Sequence, residues 1–212
     1  MTANLWNVNV SVDSFAEALD KYAPDIVAVQ ELDHSAAEAL TERYPYGLVR
    51  PGGVSGCALV SREPLTVTET ELPFRPLLTA PVLVGGQSIT VGAIHLANPV
   101  ATHDVKYRRH QVRALLENLQ GDQPMVLVGD YNSSPAWPAY RMIRKHLRDG
   151  VNDWAARTGN RTARTWSYTA GMPKLLRIDH IMVRGVELAD VQVVNIAGSD
   201  HRALVADLLV SG

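Results

Sequence analysis

The sequence predicts a mixed α/β architecture in which two packed sheets are flanked by helices. Short apolar runs bounded by turn residues recur about ten times, more than one open sheet holds comfortably. Amphipathic stretches are interleaved with these runs, as in other α/β folds. Residues 81–84, the pair Gly85-Gly86 and residues 87–94 read as a β-hairpin with a two-residue turn, so the sheets are not purely parallel.

The chain opens with a strand over residues 3–8. Phe15, Leu19 and Tyr22 mark a first amphipathic helix, with Asp13 or Ser14 as its N-cap. Residues 26–29 are apolar on both faces, which predicts a central buried strand ending at Gln30-Glu31. A second helix spans 35–44. Short strands follow at 57–60 and 65–68, then the hairpin, whose second strand ends at His95. Residues 104–119 form a helix with Val105, Val112, Leu115, Leu116 and Leu119 on its inner side. Its Lys106, Arg108, Arg109 and Arg113 form a basic cluster that reads as a solvated face. A buried strand at 125–128 runs into Gly129-Asp130-Tyr131-Asn132, and a helix near 136–147 comes next. The stretch 152–177 reads mostly as loop, and strands at 178–183, 191–194 and 203–208 complete the chain.

There is no repeat, low-complexity tract or long linker, so residues 1–212 read as one domain. At 46% hydrophobic and 20% charged residues the composition is that of a globular protein. A domain of this size buries roughly 70% of its unfolded surface, so folding alone requires no metal or disulfide. The net charge of −2 is not that of a dedicated nucleic-acid binder. Cys57 is the single cysteine and has no internal disulfide partner. No apolar run approaches the ~20 residues of a membrane span. The opening Met1-Thr2-Ala3-Asn4 lacks the basic-then-apolar order of a secretory signal.

Polar groups collect at strand ends: Asn4, Glu31, His95, Asp130 with Asn132, and Ser199-Asp200-His201. That is where α/β proteins gather ligand groups. If the strand continues through Asp130, Asn132 shares its face two residues on. The pair reads equally as a turn that caps the next helix. Glu31, a hard oxygen donor, suits Mg²⁺ or Mn²⁺, or else begins a helix. Asp200-His201 reads as a metal ligand beside an acid/base, or as a surface turn. Asp179, set among apolar residues, requires a partner, and a histidine would serve. His95 is a candidate site residue or a satisfied core histidine. There is no zinc-type Cys/His cluster, no phosphate-binding glycine loop and no Gly-x-Ser-x-Gly elbow. Carboxylates, amides and histidines without a covalent nucleophile fit metal-assisted attack of water on a phosphate ester.

Taken in order, Thr2-Ala3-Asn4-Leu5, Asp25-Ile26-Val27-Ala28-Val29-Gln30-Glu31, Ser61-Arg62-Glu63-Pro64-Leu65, Ile94-His95, Gly129-Asp130-Tyr131-Asn132-Ser133, Arg177-Ile178-Asp179-His180-Ile181 and Gly198-Ser199-Asp200-His201-Arg202 resemble the endonuclease/exonuclease/phosphatase superfamily across essentially the whole chain. The resemblance implies the deoxyribonuclease-I-like fold, a four-layer α/β/β/α sandwich of two mixed sheets. It implies Glu31 as the main metal ligand, helped by Asn4 and Asp200, with Mg²⁺ or Mn²⁺ as cofactor. Asp130 would orient or deprotonate the attacking water, and Asn132 and His95 would bind phosphate oxygens. His201, oriented by Asp179, would act on the scissile phosphate.

Two features depart from the family pattern. Trp6 stands where many nuclease members carry a second acidic or amide residue, with Asn7 and Asn9 further on. The strand before Asn4 is also short, which implies a trimmed or alternative start. The Gly52–Gly56 loop and Thr165-Trp166 look like those of short bacterial, VanJ-like members. That likeness implies a small or lipid-linked phosphate as substrate. It also allows the chain to be the extracytoplasmic catalytic domain of a membrane-anchored bacterial protein; as given, the chain reads as soluble. A nuclease of the same fold is the alternative, with the 106–113 cluster as its one basic groove. A non-catalytic binding protein is a remote third reading. A monomer is expected. The four tryptophans Trp6, Trp137, Trp154 and Trp166 read as walls for an apolar tail, as stacking platforms for bases, or as core.

Overall fold

The computed structural model describes residues 1–6, 8–100 and 102–209. The first half of the chain supplies β1 (Thr2–Asn4), α1 (Val12–Tyr22), β2 (Ile26–Gln30), α2 (His34–Thr41), β3 (Tyr46–Arg50), β4 (Cys57–Ser61), β5 (Thr68–Thr70), β6 (Leu77–Val84) and β7 (Gln87–His95). The second half supplies α3 (Thr102–Asn118), β8 (Met125–Asp130), α4 (Pro138–Ile143), β9 (Arg148–Asp149), α5 (Gly150–Thr158), β10 (Asp179–Arg184), β11 (Glu187–Asn195) and β12 (Arg202–Leu209).

The strands form two six-stranded mixed sheets, ordered β11-β12-β1-β2-β4-β3 and β5-β6-β7-β8-β10-β9. Side-chain alternation builds the layers. In β2, Val27 and Val29 face α1 and α2, packing with Phe15, Leu19, Ala36 and Leu40, while Ala28 faces inward. Between the sheets, Ala28, Leu59, Leu78, Val91, Val126, Val128, Ile181 and Leu204 form the central core. Outside the second sheet, Ile94, Leu127 and Met182 pack with Val112 and Leu115 of α3, Leu119 just beyond it, and Tyr140 and Ile143 of α4. The result is an α/β/β/α sandwich. Burial on both faces explains the unbroken apolar runs of β2 and β8.

Several local expectations are corrected. β1 stops at Asn4, because Trp6 takes a positive φ of 49° and its N–H returns to Asn4 Oδ1 at 3.0 Å. The cap of α1 is Ser11, whose hydroxyl accepts from Ser14 N; Asp13 and Ser14 lie inside the helix. β3 had been missed, because its Gly47, Arg50 and exposed Tyr46 break the apolar pattern. The strand expected at 65–68 forms instead at β5. The hairpin is as expected, with Gly85 and Gly86 both at positive φ. α4 ends at Ile143 rather than 147. The stretch read as loop from 152 contains most of α5. Gly150, Asn152 and Asp153 are poor helix formers, but Asp149 caps the helix through Asn152 N. Val151, Trp154 and Ala155 give it a buried face. Trp154 is therefore core, whereas Trp6, Trp137 and Trp166 are half-buried. Asn7 lies outside the described residues.

The basic face of α3 is also smaller than the sequence implied. Lys106, Arg109 and Arg113 are exposed, but Arg108 is buried.

Candidate active site

Strand register assembles the site. In the second sheet, His95 pairs in parallel with Asp130, and Asp179 pairs with Asp130 from the antiparallel side. Three strand ends thus present His95, Asp130 and Asp179 side by side. This close approach requires glycine at 129. The residue holds a φ of 139°, and a Cβ there would lie 1.9 Å from Ile94 O. In the first sheet Asn4 pairs with Gln30, so Glu31 emerges just beyond, in a left-handed conformation at φ 55°.

Asn4 joins the sheets. Its Nδ2 donates to Asp130 Oδ2 at 3.1 Å and to Glu31 Oε1 at 3.3 Å, while its Oδ1 accepts from Trp6 N. Asn132 also meets Asp130, though not by continued strand alternation. β8 ends at Asp130, and Asn132 turns back at φ 43°. Its backbone N–H donates to Asp130 Oδ1 at 2.7 Å and its Nδ2 to Asp130 Oδ2 at 3.0 Å. His95 Nε2 is 3.4 Å from Asp130 Oδ2 and 3.9 Å from Glu31 Oε1.

The loop before β12 brings the remaining groups. His201 Nδ1 donates to Asp179 at 2.9 Å, and its Nε2 faces Asp130 Oδ2 at 3.9 Å and Asp200 Oδ1 at 3.8 Å. Ser199 ties this loop to β1 by donating to Asn4 O at 2.9 Å and accepting from His201 N. All eight residues singled out from the sequence, Asn4, Glu31, His95, Asp130, Asn132, Asp179, Asp200 and His201, therefore converge on one end of the sandwich. The sequence reading missed Trp166 as a site residue in its own right: its indole Nε1 donates to Asp200 Oδ2 at 3.0 Å. It also missed Lys174, whose Nζ donates to Asp200 O at 2.7 Å, and Thr165, whose hydroxyl accepts from Asp179 N. The signal for Trp166 was a tryptophan in a polar loop with no apolar periodicity around it.

The electrostatics divide the titratable groups. Burial works to raise Asp130, but the His95 hydrogen bond, the His201 charge and the Asn132 N–H outweigh it and hold the carboxyl far below its ordinary range. Burial would lower His201, yet Asp179 above all, then Asp130 and Asp200, push it up to about 9. His95 is lowered, chiefly by burial. Asp200 is raised by burial, with the like charge of Glu31 adding to it, against the pull of His201 and Trp166.

These groups suit a divalent cation. Asp200 Oδ1 is buried with no hydrogen-bond partner among the described residues, and the nearby Glu31 carboxylate repels it. Donor atoms of Asp130, Asp179 and His201 lie within 4.8 Å of one another and could also hold an ion. Asp179, however, turns both oxygens to His201 Nδ1. The oxygens with fewest protein donors are on the Glu31–Asp200 side, a hard-donor set of the kind that Mg²⁺-type ions take.

An α/β/β/α sandwich with carboxylates, amides and histidines gathered at one end is the class that the fold and the site define. The sequence model of the Endonuclease/Exonuclease/phosphatase family matches residues 1–201. The chain belongs to that family. Its architecture is similar to an endonuclease/exonuclease/phosphatase from Beutenbergia cavernae (TM-score 0.78, 22% identity, covering 100% of this chain and 71% of that one). It is also similar to a humanized D. rerio TDP2 (TM-score 0.77, 20% identity, covering 99% and 97%). A third likeness is to the 3′ phosphatase NExo from Neisseria, solved with a product DNA hairpin (TM-score 0.72, 23% identity, 97% of each chain). At these identities the three likenesses establish the fold. Among curated proteins, a UPF0294 protein of Vibrio parahaemolyticus is 26% identical over 162 residues, 74% of this chain and 52% of that protein. The chain thus spans about half the length of the curated relatives it matches.

Proposed function

We propose that the chain is a divalent-metal-dependent phosphoesterase that hydrolyses a small or lipid-linked phosphate ester by direct attack of water, with Mg²⁺ or Mn²⁺ as its cation. The observation that carries this reading is the position of Asp130 Oδ2. It accepts hydrogen bonds from Asn4 and Asn132 and lies within 3.4 Å of His95 and 3.9 Å of His201. A carboxylate so held stays ionised and can orient the attacking water by accepting its hydrogen bond. Glu31 and Asp200, with Asn4 beside them, would hold the cation. A cation there would supply positive charge next to the phosphoryl group. His95 and Asn132 bind phosphate oxygens. His201, held by Asp179, supplies a cationic N–H opposite the water, where negative charge or a leaving oxygen develops.

The rim supports a substrate with an apolar body. Val54, Phe74 and Tyr168 are exposed. Phe74 neighbours Arg75, which donates to Val54 O and to Leu96 O next to His95. Tyr168 packs edge-on against Trp166, the partner of Asp200. No helix among the described residues is long and apolar enough to cross a membrane.

The test is a side-by-side assay with Mg²⁺ or Mn²⁺ on small phosphate esters, isoprenyl or lipid phosphates, and DNA. The reading expects turnover of the first or second class. Efficient DNA cleavage without hydrolysis of the small or lipid phosphates would favour a nuclease. With Arg108 buried, α3 offers only Lys106, Arg109 and Arg113 to a duplex, so its contribution to the salt slope is no steeper than roughly −3.

A further inference from the structure

The basic helix α3 carries a buried pair that the proposed chemistry does not use. Arg108 and Gln111 lie three residues apart on one helix face, and both are buried, Gln111 completely. Gln111 Oε1 accepts from Ala97 N at 2.8 Å, and its Nε2 donates to His95 O at 3.0 Å and Arg75 O at 3.3 Å. Arg108 donates through one nitrogen to Ala97 O and through another to Tyr131 O at 2.9 Å. Ala97 lies just past His95, the last residue of β7. Tyr131 follows β8 and immediately precedes Asn132. A direct bond joins the two segments, from Asn132 Nδ2 to Leu96 O at 3.0 Å.

We infer that Arg108 and Gln111 are positioning residues that fix the His95 and Asn132 segments relative to each other, and so set the spacing of the two side chains that meet the phosphate. The inference rests on the phosphoesterase reading for the identity of that ligand, but the clamp itself rests on the hydrogen bonds alone. The planar guanidinium meets the two carbonyls through separate nitrogens, a fork that a lysine ammonium does not reproduce. The left-handed turn at Asn132 is held at the next carbonyl as well, because His180 Nε2 donates to Ser133 O at 2.8 Å. Burial pulls the Arg108 guanidinium down to about 10, with the charge of Asp130 opposing. It remains a cation behind the anion site.

The experiment compares Arg108→Lys, Arg108→Met, Gln111→Glu and Gln111→Leu with the wild type in the presence of the metal. It uses three readouts: thermal unfolding, steady-state kinetics well below the unfolding transition, and amide NMR with inorganic phosphate as the probe. The expected result is that kcat falls about 10–100-fold in Arg108→Met while KM changes less, since small misplacements at a reacting centre cost that much. Arg108→Lys should recover part of the loss, and phosphate affinity should drop alongside kcat. In the Arg108 variants, the amide signals of Ala97 and Asn132 should move together. If Arg108→Met does not fold, Arg108→Lys and Gln111→Glu carry the same readouts. Wild-type kcat per folded molecule in the folded variants, or an unmoved Asn132 signal in the folded Arg108 variants, overturns the inference. The NMR readout needs no turnover: if the wild type is inactive but the Ala97 and Asn132 signals still move together in the Arg108 variants, the phosphoesterase reading is refuted and the clamp stands.

Discussion

Asp130 lies directly opposite Asp179 in the antiparallel pairing of β8 with β10, and the ring of His201 spans the two carboxylates. Its Nδ1 is 2.9 Å from Asp179 and its Nε2 is 3.9 Å from Asp130. Two buried acids at adjacent register positions would repel each other without a cation between them, and the raised His201 supplies one through neutral pH.

Asp179→Asn tests this arrangement. The substitution keeps the shape and removes the charge that contributes most to raising His201. The histidine should then lose its proton at a lower pH. With His201 as the cation of the proposed reaction, the wild type should lose activity as pH rises through about 9. In the variant that alkaline limb should move toward neutrality, and kcat should fall ~10²–10⁴-fold. An unchanged pH–rate profile in a folded variant contradicts the pairing.

Trp166→Phe removes the indole N–H from Asp200 Oδ2 and keeps most of the ring. Groups that orient a ligand typically contribute about 10–100-fold to metal affinity. The expected outcome, read by calorimetric titration of Mn²⁺, is a loss in that range with little change in the unfolding temperature. Unaltered affinity would separate Asp200 from the metal.

Gly129→Ala should destabilise the fold by more than about 2 kcal/mol, because both the φ of 139° and the 1.9 Å approach to Ile94 O exclude a side chain. Denaturant unfolding measures this directly. A near-neutral variant would show that β7 and β8 can separate at the site.

How far the sequence revealed the site depended on what each residue needed. Glu31, Asp130 and Asp179 were legible because a carboxylate at the end of, or inside, an apolar strand is costly without a partner. β2 and β8 were legible for the same reason in reverse, being apolar on both faces. α5 was not, since its Gly150, Asn152 and Asp153 argue against a helix that tertiary packing of Val151 and Trp154 stabilises. Arg108 was misread as part of a solvated face because a basic cluster in sequence does not reveal which member turns inward to bind carbonyls. The hydrogen bonds of Asn4 that link the two sheets were beyond reach, since they depend on which strands become neighbours.

The buried pair of Asp149 with Arg177, at 2.7 Å, gives a stability prediction away from the chemistry. Burial works to raise Asp149, but His180 and Arg177 hold it well below the carboxylate range. A depressed acid contributes stability above its unfolded pKa of about 4 and loses it as pH falls through the folded value. Arg177→Met should therefore cost about 3–5 kcal/mol at pH 7, because Asp149 stays buried without its cation. The difference from wild type should shrink in acid, and a pH-independent difference in unfolding free energy would contradict this account.

The central claim is that Glu31 anchors a catalytic divalent cation. The most direct measurement is turnover of a phosphate ester by metal-stripped enzyme, titrated with Mg²⁺ or Mn²⁺, for the wild type and for Glu31→Gln. The account predicts no turnover in excess chelator and full recovery in the wild type on adding metal. It also predicts a folded Glu31→Gln variant that needs at least about 10-fold more metal, the scale on which ligand-shell changes weaken affinity. Full activity in excess chelator, or an identical metal requirement in Glu31→Gln, would contradict it.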